Sequence, residues 1–247
     1  NAVHSTGNLT ASRWSCSGCS SEISSFIVSG GGSNIIESFS NTNPAAGATD
    51  LADLNVTSNG TSVSGLTHGY FCKDTTGVGA LDKFAYVNTA NAVGVGDLNH
   101  NYGNSRYGGS TDSVSNYGYM AGGTGNSPAI ERFSFDNETI SNDVGNCTSQ
   151  TWTGGETMGC SSETHGYHLG KGSCLTNIDK YAFSSSGNAT DVGDLTHDAS
   201  NWNGNCSGSG RGNGMSSITH GYVAGGELYT DIDKFAFANE SSQTDIG

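Results

Sequence analysis

Histidines and carboxylates recur along this chain at regular intervals, the arrangement a repeated binding or catalytic site would need. His68, His165 and His220 each precede a Gly-Tyr pair, while His4, His100 and His197 each follow an Asp-Leu or Asn-Ala step. Imidazoles gathered at one mouth of a ring could converge on a metal or an anionic ligand. The other reading is that each hydrogen-bonds to its neighbouring unit and fixes where a strand begins. The second is favoured, because a residue repeated through a symmetric scaffold is more often structural. The acids Glu37, Asp82, Glu131, Asp179 and Asp233 form a second set, mostly followed by a cation (Lys83, Arg132, Lys180, Lys234), and read as ion pairs between units. Asp231-Ile232-Asp233 alone is too thin for a calcium loop.

A catalytic centre would break such a repeat locally. The unrepeated charged residues Lys73, Asp74, Glu156, Glu163, His168 and Lys171 show no triad spacing, so no enzyme activity, cofactor or metal site is expected. Seven cysteines are an odd number. Cys16-Ser-Gly-Cys19 is half of a zinc knuckle without a second half. Cys147 and Cys160 flank one expected edge strand and are the candidates for a disulfide. Asn-x-Ser/Thr acceptors stand at Asn8, Asn55, Asn59, Asn137, Asn146, Asn188, Asn205 and Asn239. Several would arise by chance in a chain so rich in these residues. Asn137, Asn188 and Asn239 are more telling, because all three occupy one repeat-equivalent turn, where glycans would project from one face and leave the opposite face or the rim for contacts.

These residues must be positioned by the repeat itself. Thr219-His220-Gly221-Tyr222-Val223-Ala224-Gly225-Gly226 is followed by Ile232-Asp233-Lys234-Phe235-Ala236-Phe237, and four further copies run through the chain. Their aromatic markers are Phe39, Phe84, Phe133, Tyr181 and Phe235, 45 to 54 residues apart. The step across the termini is of the same size. A third segment, such as Thr190-Asp191-Val192-Gly193-Asp194-Leu195, also recurs, and its last copy is split between Thr244-Asp245-Ile246-Gly247 and Asn1. Each unit reads as an inner His-Gly-Tyr strand, an aromatic strand, an Asp-Val-Gly-Asp strand and a polar fourth strand such as Ser105-Arg106-Tyr107. Four antiparallel strands make a propeller blade. The expectation is an all-β fold: a single five-bladed β-propeller spanning residues 1–247, its ring closed by the two termini. Side chains alternate along a strand, so Asp82, Phe84 and Tyr86 share the face that packs between blades.

Composition agrees with this reading and narrows the function. Only 33% of residues are hydrophobic and 38 are glycine, which suits short strands and tight turns. A net charge of -14 argues against nucleic-acid and anionic-membrane binding. No apolar run is long enough for membrane insertion, and the start at Asn1 is what a processed chain would show.

The Gly-Gly doublet followed by an aromatic strand resembles kelch-type repeats. The His-Gly-Tyr, Ile-Asp-Lys-Phe and Asn-Ala-Thr-Asp-Val-Gly-Asp-Leu strings resemble more closely the glycine-rich propeller repeats of predicted structural (fibre) proteins of aquatic phages and algal viruses, over essentially the whole chain. That resemblance implies a non-catalytic, extracellular or virion- or cell-surface building block, glycosylated, whose partners are copies of itself or other fibre proteins. A lectin is the alternative, with glycans as partners of exposed aromatics Trp14, Tyr107, Trp152 and Trp202 and of the His68, His165 and His220 set. A glycosidase or oxidase would rest on fold alone.

Overall fold

The computed structural model describes residues 7–55, 57–73, 79–100, 108–122, 127–148, 157–171, 175–196, 213–224, 231–240 and 243–247. Five antiparallel four-stranded sheets form the blades of a propeller. Blade 1 holds β1 (Ser17–Ser20), β2 (Ser24–Gly30), β3 (Ser33–Ser40) and β4 (Thr49–Asp53); blade 2 holds β5 (Gly60–Ser64), β6 (His68–Lys73), β7 (Ala80–Ala85) and β8 (Val93–Asp97). Blade 3 is β9 (Gly108–Asp112), β10 (Tyr117–Ala121), β11 (Ala129–Ser134) and β12 (Ile140–Asn146), and blade 4 is β13 (Met158–Ser161), β14 (His165–Lys171), β15 (Leu175–Ala182) and β16 (Thr190–Asp194). Blade 5 is β17 (Asn213–Ser216), β18 (His220–Ala224), β19 (Ile232–Ala236) and β20 (Thr244–Asp245). Among the described residues no helix is long and apolar enough to cross a membrane.

The strand order corrects one sequence expectation. The His-Gly-Tyr strand is the second of its blade. The innermost is the polar strand, which belongs to the start of a blade and not to its end. These inner strands pack in succession, β1 on β5, β5 on β9, β9 on β13 and β13 on β17. They approach so closely that a Cβ on Gly159 would stand 2.3 Å from the Gly109 carbonyl oxygen, and one on Gly214 equally close to that of Gly159. Glycine there is a packing requirement of the axis.

Successive blades are sealed by rings. On strand two of one blade an aromatic stacks on the outer of two aromatics in the next: Phe26 on Tyr86 at 4.7 Å, Tyr70 on Phe135 at 4.7 Å, Tyr119 on Phe183 at 4.8 Å and Tyr167 on Phe237 at 5.0 Å. The markers Phe84, Phe133, Tyr181 and Phe235 complete these clusters and are buried. Each marker lies across the glycine that is its cross-strand partner (Gly69, Gly118, Gly166 or Gly221), where a Cβ would come within 2.3–2.4 Å of the ring. The glycine of the repeated string is therefore a seat for the next strand's aromatic. Burial of each such ring contributes about 1.5–3 kcal/mol.

Blade 1 departs from this pattern on the side that would meet blade 5. Ser25 stands in the glycine place, opposite Phe39, and Asn41 stands where the other blades carry the second aromatic. The Ser25 hydroxyl donates to Asn41 Oδ1 at 2.6 Å. Phe39 and, on blade 5, Tyr222 are only half-buried. Among the described residues β17 has no packing on β1 comparable to that between the other inner strands. A cavity of about 690 Å³ is lined by residues of all five inner strands and extends along blade 1 to Ser25, Ile27 and Phe39.

One residue near the N-terminus makes a contact that repeats elsewhere between blades. Ala48 N–H donates to Asn8 O at 2.9 Å, as Ala92 does to Asp53 O and Ala189 to Asn146 O, both at 2.8 Å. Asn8 thus accepts the hydrogen bond that Asn146 accepts between blades 3 and 4, and Asn1 lies outside the described residues.

Candidate functional site

Antiparallel pairing puts the turns between strands one and two, and those between strands three and four, at the same end of every blade. The inner set of turns is short and hydroxyl-capped. Ser162 and Ser217 donate their N–H groups to His165 O and His220 O at 2.9 and 2.8 Å, and Gly65 does the same to His68 O at 2.9 Å. Their tips carry Ile23, Leu66, Val114 and Ile218, exposed by 63, 86, 69 and 96%; the turns of blades 1 and 4 also carry the exposed acids Glu22 and Glu163. These four aliphatic side chains are held out into water at one end of their blades and belong to none of the core clusters. Sequence reasoning missed them. The available signal was a lone apolar residue in the turn before the string, as at Leu66 before His68-Gly69-Tyr70 and Ile218 before His220-Gly221-Tyr222.

The histidines His68, His165 and His220 stand at the ends of these turns without converging. Each Nδ1 lies 2.8 Å from the hydroxyl of the preceding threonine, Thr67, Thr164 or Thr219. Burial, with help from Lys83, lowers the pKa of His68, and burial with Lys180 lowers that of His165; Glu138 and Glu240 oppose the shift. In blades 3 and 1 the histidine place is taken by Tyr117 and Ser24. The arrangement fixes turns and gathers no ligand set.

The repeated acids do bridge blades, by a route other than the expected one. Each takes hydrogen bonds from the segment that leaves the preceding blade: Asn55 Nδ2 to Asp82 Oδ1 at 3.1 Å, Asn99 N to Glu131 Oε1 at 2.9 Å, Thr148 N to Asp179 Oδ2 at 2.8 Å and Thr196 N to Asp233 Oδ2 at 2.9 Å. Thr10 N serves Glu37 in the same manner at 2.6 Å. Cations also arrive from elsewhere than the adjacent position, because neighbours along a strand face opposite ways. Arg13 reaches Glu37 at 3.0 Å, Lys73 reaches Asp82 at 2.8 Å and His100 lies 3.1 Å from Glu131. Lys83 and Lys180 point forward to Glu138 and Glu240 on the next blade, and Arg132 stacks on Tyr117 with its guanidinium carbon 4.6 Å from the ring centroid.

No disulfide is formed by the five described cysteines, and the expected Cys147–Cys160 bridge is corrected on geometric grounds. Cys160 pairs with Tyr167 and packs in the cluster between blades 4 and 5. Cys147 packs against the opposite side of blade 4, with Tyr181 and Phe183. A sheet separates the two sulfurs. Burial pushes the Cys19 thiol up to about 12, against a smaller downward pull from Tyr86, and raises that of Cys160 as well. Such thiols are poor nucleophiles.

Asn8, Asn55, Asn137, Asn188 and Asn239 are exposed and Asn59 and Asn146 half-buried, while Asn205 lies outside the described residues. Asn137, Asn188 and Asn239 occupy the outer turns, at the same end as the aliphatic tips and not opposite to them. Of the aromatics considered for sugar stacking, Trp14 is 58% exposed beside the Gly30-Gly31 turn. Tyr107, Trp152 and Trp202 lie outside the described residues. Compared with models of known protein families the chain matches none, and a search of curated proteins finds no match either.

Proposed function

We propose that this propeller is a non-catalytic interaction module, a glycosylated building block of an extracellular, virion-surface or secreted fibre, that self-associates through the aliphatic tips. The carrying observation is the set of exposed Ile23, Leu66, Val114 and Ile218 side chains on four equivalent turns. Water around apolar groups that large is unfavourable, and a partner covering them would recover about 25 cal/mol for each Å² buried. The acceptors Asn137, Asn188 and Asn239 support the extracellular part of the reading: on the outer turns, a glycan would extend away from the axis and frame the contact. The likeness of the repeated strings to fibre-protein repeats of aquatic phages and algal viruses supports the assembly part.

Sedimentation velocity over a range of concentrations tests it, with wild type beside Leu66→Glu and Ile218→Glu. Wild type is expected to associate as concentration rises, and both variants to remain dispersed. A wild type that stays monomeric throughout, or variants that associate equally, would remove the tips from the account. Intact mass before and after deglycosylation of the chain from a eukaryotic secretory host is expected to differ. Equal masses would remove the glycosylated part.

A further inference from the structure

The junction between blades 3 and 4 breaks the repeat at two positions that meet in space. In the segment that leaves each blade, one residue donates its N–H to the start of strand three: Leu54 to Asn34 O at 2.7 Å, Leu98 to Gly79 O at 2.9 Å, Leu195 to Thr176 O at 2.7 Å and Cys147 to Pro128 O at 2.8 Å. Cysteine replaces leucine only there among these four. The cross-strand partner of each repeated acid likewise differs in one blade. Ile27 faces Glu37, Phe71 faces Asp82, Met120 faces Glu131 and Val223 faces Asp233, but His168 faces Asp179. At the other sealed junctions the leucine and the apolar partner lie in one hydrophobic cluster: Leu54 with Phe71, Leu98 with Met120, Leu195 with Val223.

Cys147, His168 and Asp179 are all buried, and one ligand atom from each lies within 4.8 Å of the others. We infer that this junction holds a divalent transition metal ion, zinc by its chemistry, on Cys147 Sγ, an imidazole nitrogen of His168 and a carboxylate oxygen of Asp179. A thiolate, a neutral imidazole and a carboxylate are the donor types such an ion takes. Their charges sum to the opposite of the ion's, so binding buries no net charge. Tetrahedral bonds of roughly 2.0–2.3 Å put ligand atoms roughly 3.5 Å apart, so the three close by no more than about 1.3 Å around the ion. Thr148 already orients the carboxylate, its N–H donating to Asp179 Oδ2 at 2.8 Å and its hydroxyl to Oδ1 at 2.6 Å. An outer-shell donor of this kind holds a ligating carboxylate in place. Three protein ligands leave a fourth position for water or another donor. An ion pair such as Arg13–Glu37 neutralises an acid with one cation and gives no role to a thiol at the leucine place.

Cobalt(II) titration of the chelator-treated full chain, followed by absorption, tests the assignment. One equivalent is expected, with the visible bands of a four-coordinate ion and a thiolate-to-cobalt charge-transfer band, and zinc is expected to displace it. Cys147→Leu and His168→Met restore the residues of the other blades, so they are expected to fold while losing stoichiometric binding, and zinc is expected to raise the melting temperature of wild type alone. Thr148→Ala keeps all three ligands and is expected to weaken cobalt binding by about 10–100-fold, which reads the same site if a ligand variant fails to fold. No cobalt bound at one equivalent, binding without a thiolate band, or binding that survives the ligand variants would overturn the inference.

Discussion

The junction between blades 2 and 3 and the facing surfaces of blades 5 and 1 are built from one repeat and end in opposite states. In the first, Tyr70 stacks on Phe135 and meets Phe133 at 5.5 Å, and its hydroxyl donates to Phe135 O at 3.1 Å. Burial raises the Tyr70 phenol to about 12, with Glu138 and Asp136 adding to the shift. In the second, Tyr222 and Phe39 stay half-buried. The difference lies in two side chains. Ser25 removes the glycine seat on which a marker ring lies flat, and Asn41 removes the ring that strand two of the preceding blade would stack upon. Small polar side chains thus stand on blade 1 at the positions where the sealed junctions carry a glycine seat and a ring.

The largest difference between the two junctions is expected at their aromatic centres. Phe133→Ala is expected to cost about 3–5 kcal/mol in urea denaturation, because Phe133 is fully buried, whereas Phe39→Ala is expected to cost about 1.5 kcal/mol or less. Equal losses would mean that the two junctions are equally tight. Next in size is the glycine seat. Gly118→Ala places a methyl group 2.4 Å from the Phe133 ring and is expected to cost about 1–3 kcal/mol, while Ser25→Ala is expected to stay within about 0.5 kcal/mol. Glu138→Gln, which weakens the partly exposed pair with Lys83, is expected to cost about 1 kcal/mol or less and to matter less at high salt.

The smallest effect is that of pH. His68 and His165 have folded pKa values below that of the free side chain, so the unfolded chain binds more protons as pH falls through the ordinary histidine range near 6.5. Their contribution is therefore complete above that range and declines on acidification. Melting temperature followed from pH 7.5 to 5 should fall, and His165→Tyr, which installs the residue blade 3 uses, should flatten the slope. An unchanged slope would assign the acid sensitivity to other groups.

The blade count and the inter-blade faces were legible because Phe84, Phe133, Tyr181 and Phe235 recur at a near-constant step and alternate with outward residues. The strand order was not. The inner strands Ser17–Ser20 and Met158–Ser161 are four residues long, and the one or two core residues of each, Cys19 or Met158 and Cys160, are too few to reveal a period. His168 stood out as unrepeated, yet its partners come from another blade and from the adjoining strand, so only folding brings Cys147 and Asp179 to it. The aliphatic tips were readable in principle and were passed over, because single apolar residues in a turn carry no periodicity.

Departures from the repeat, not the repeat itself, determine where the packing between blades is loosest. Hydrogen–deuterium exchange read by mass spectrometry addresses it junction by junction. Amides of β3 and β18, the strands that carry the half-buried Phe39 and Tyr222, are expected to exchange about tenfold or more faster than those of β6, β10 and β14. Equal protection across all five blades would show that the fifth junction is as closed as the others and would contradict the account.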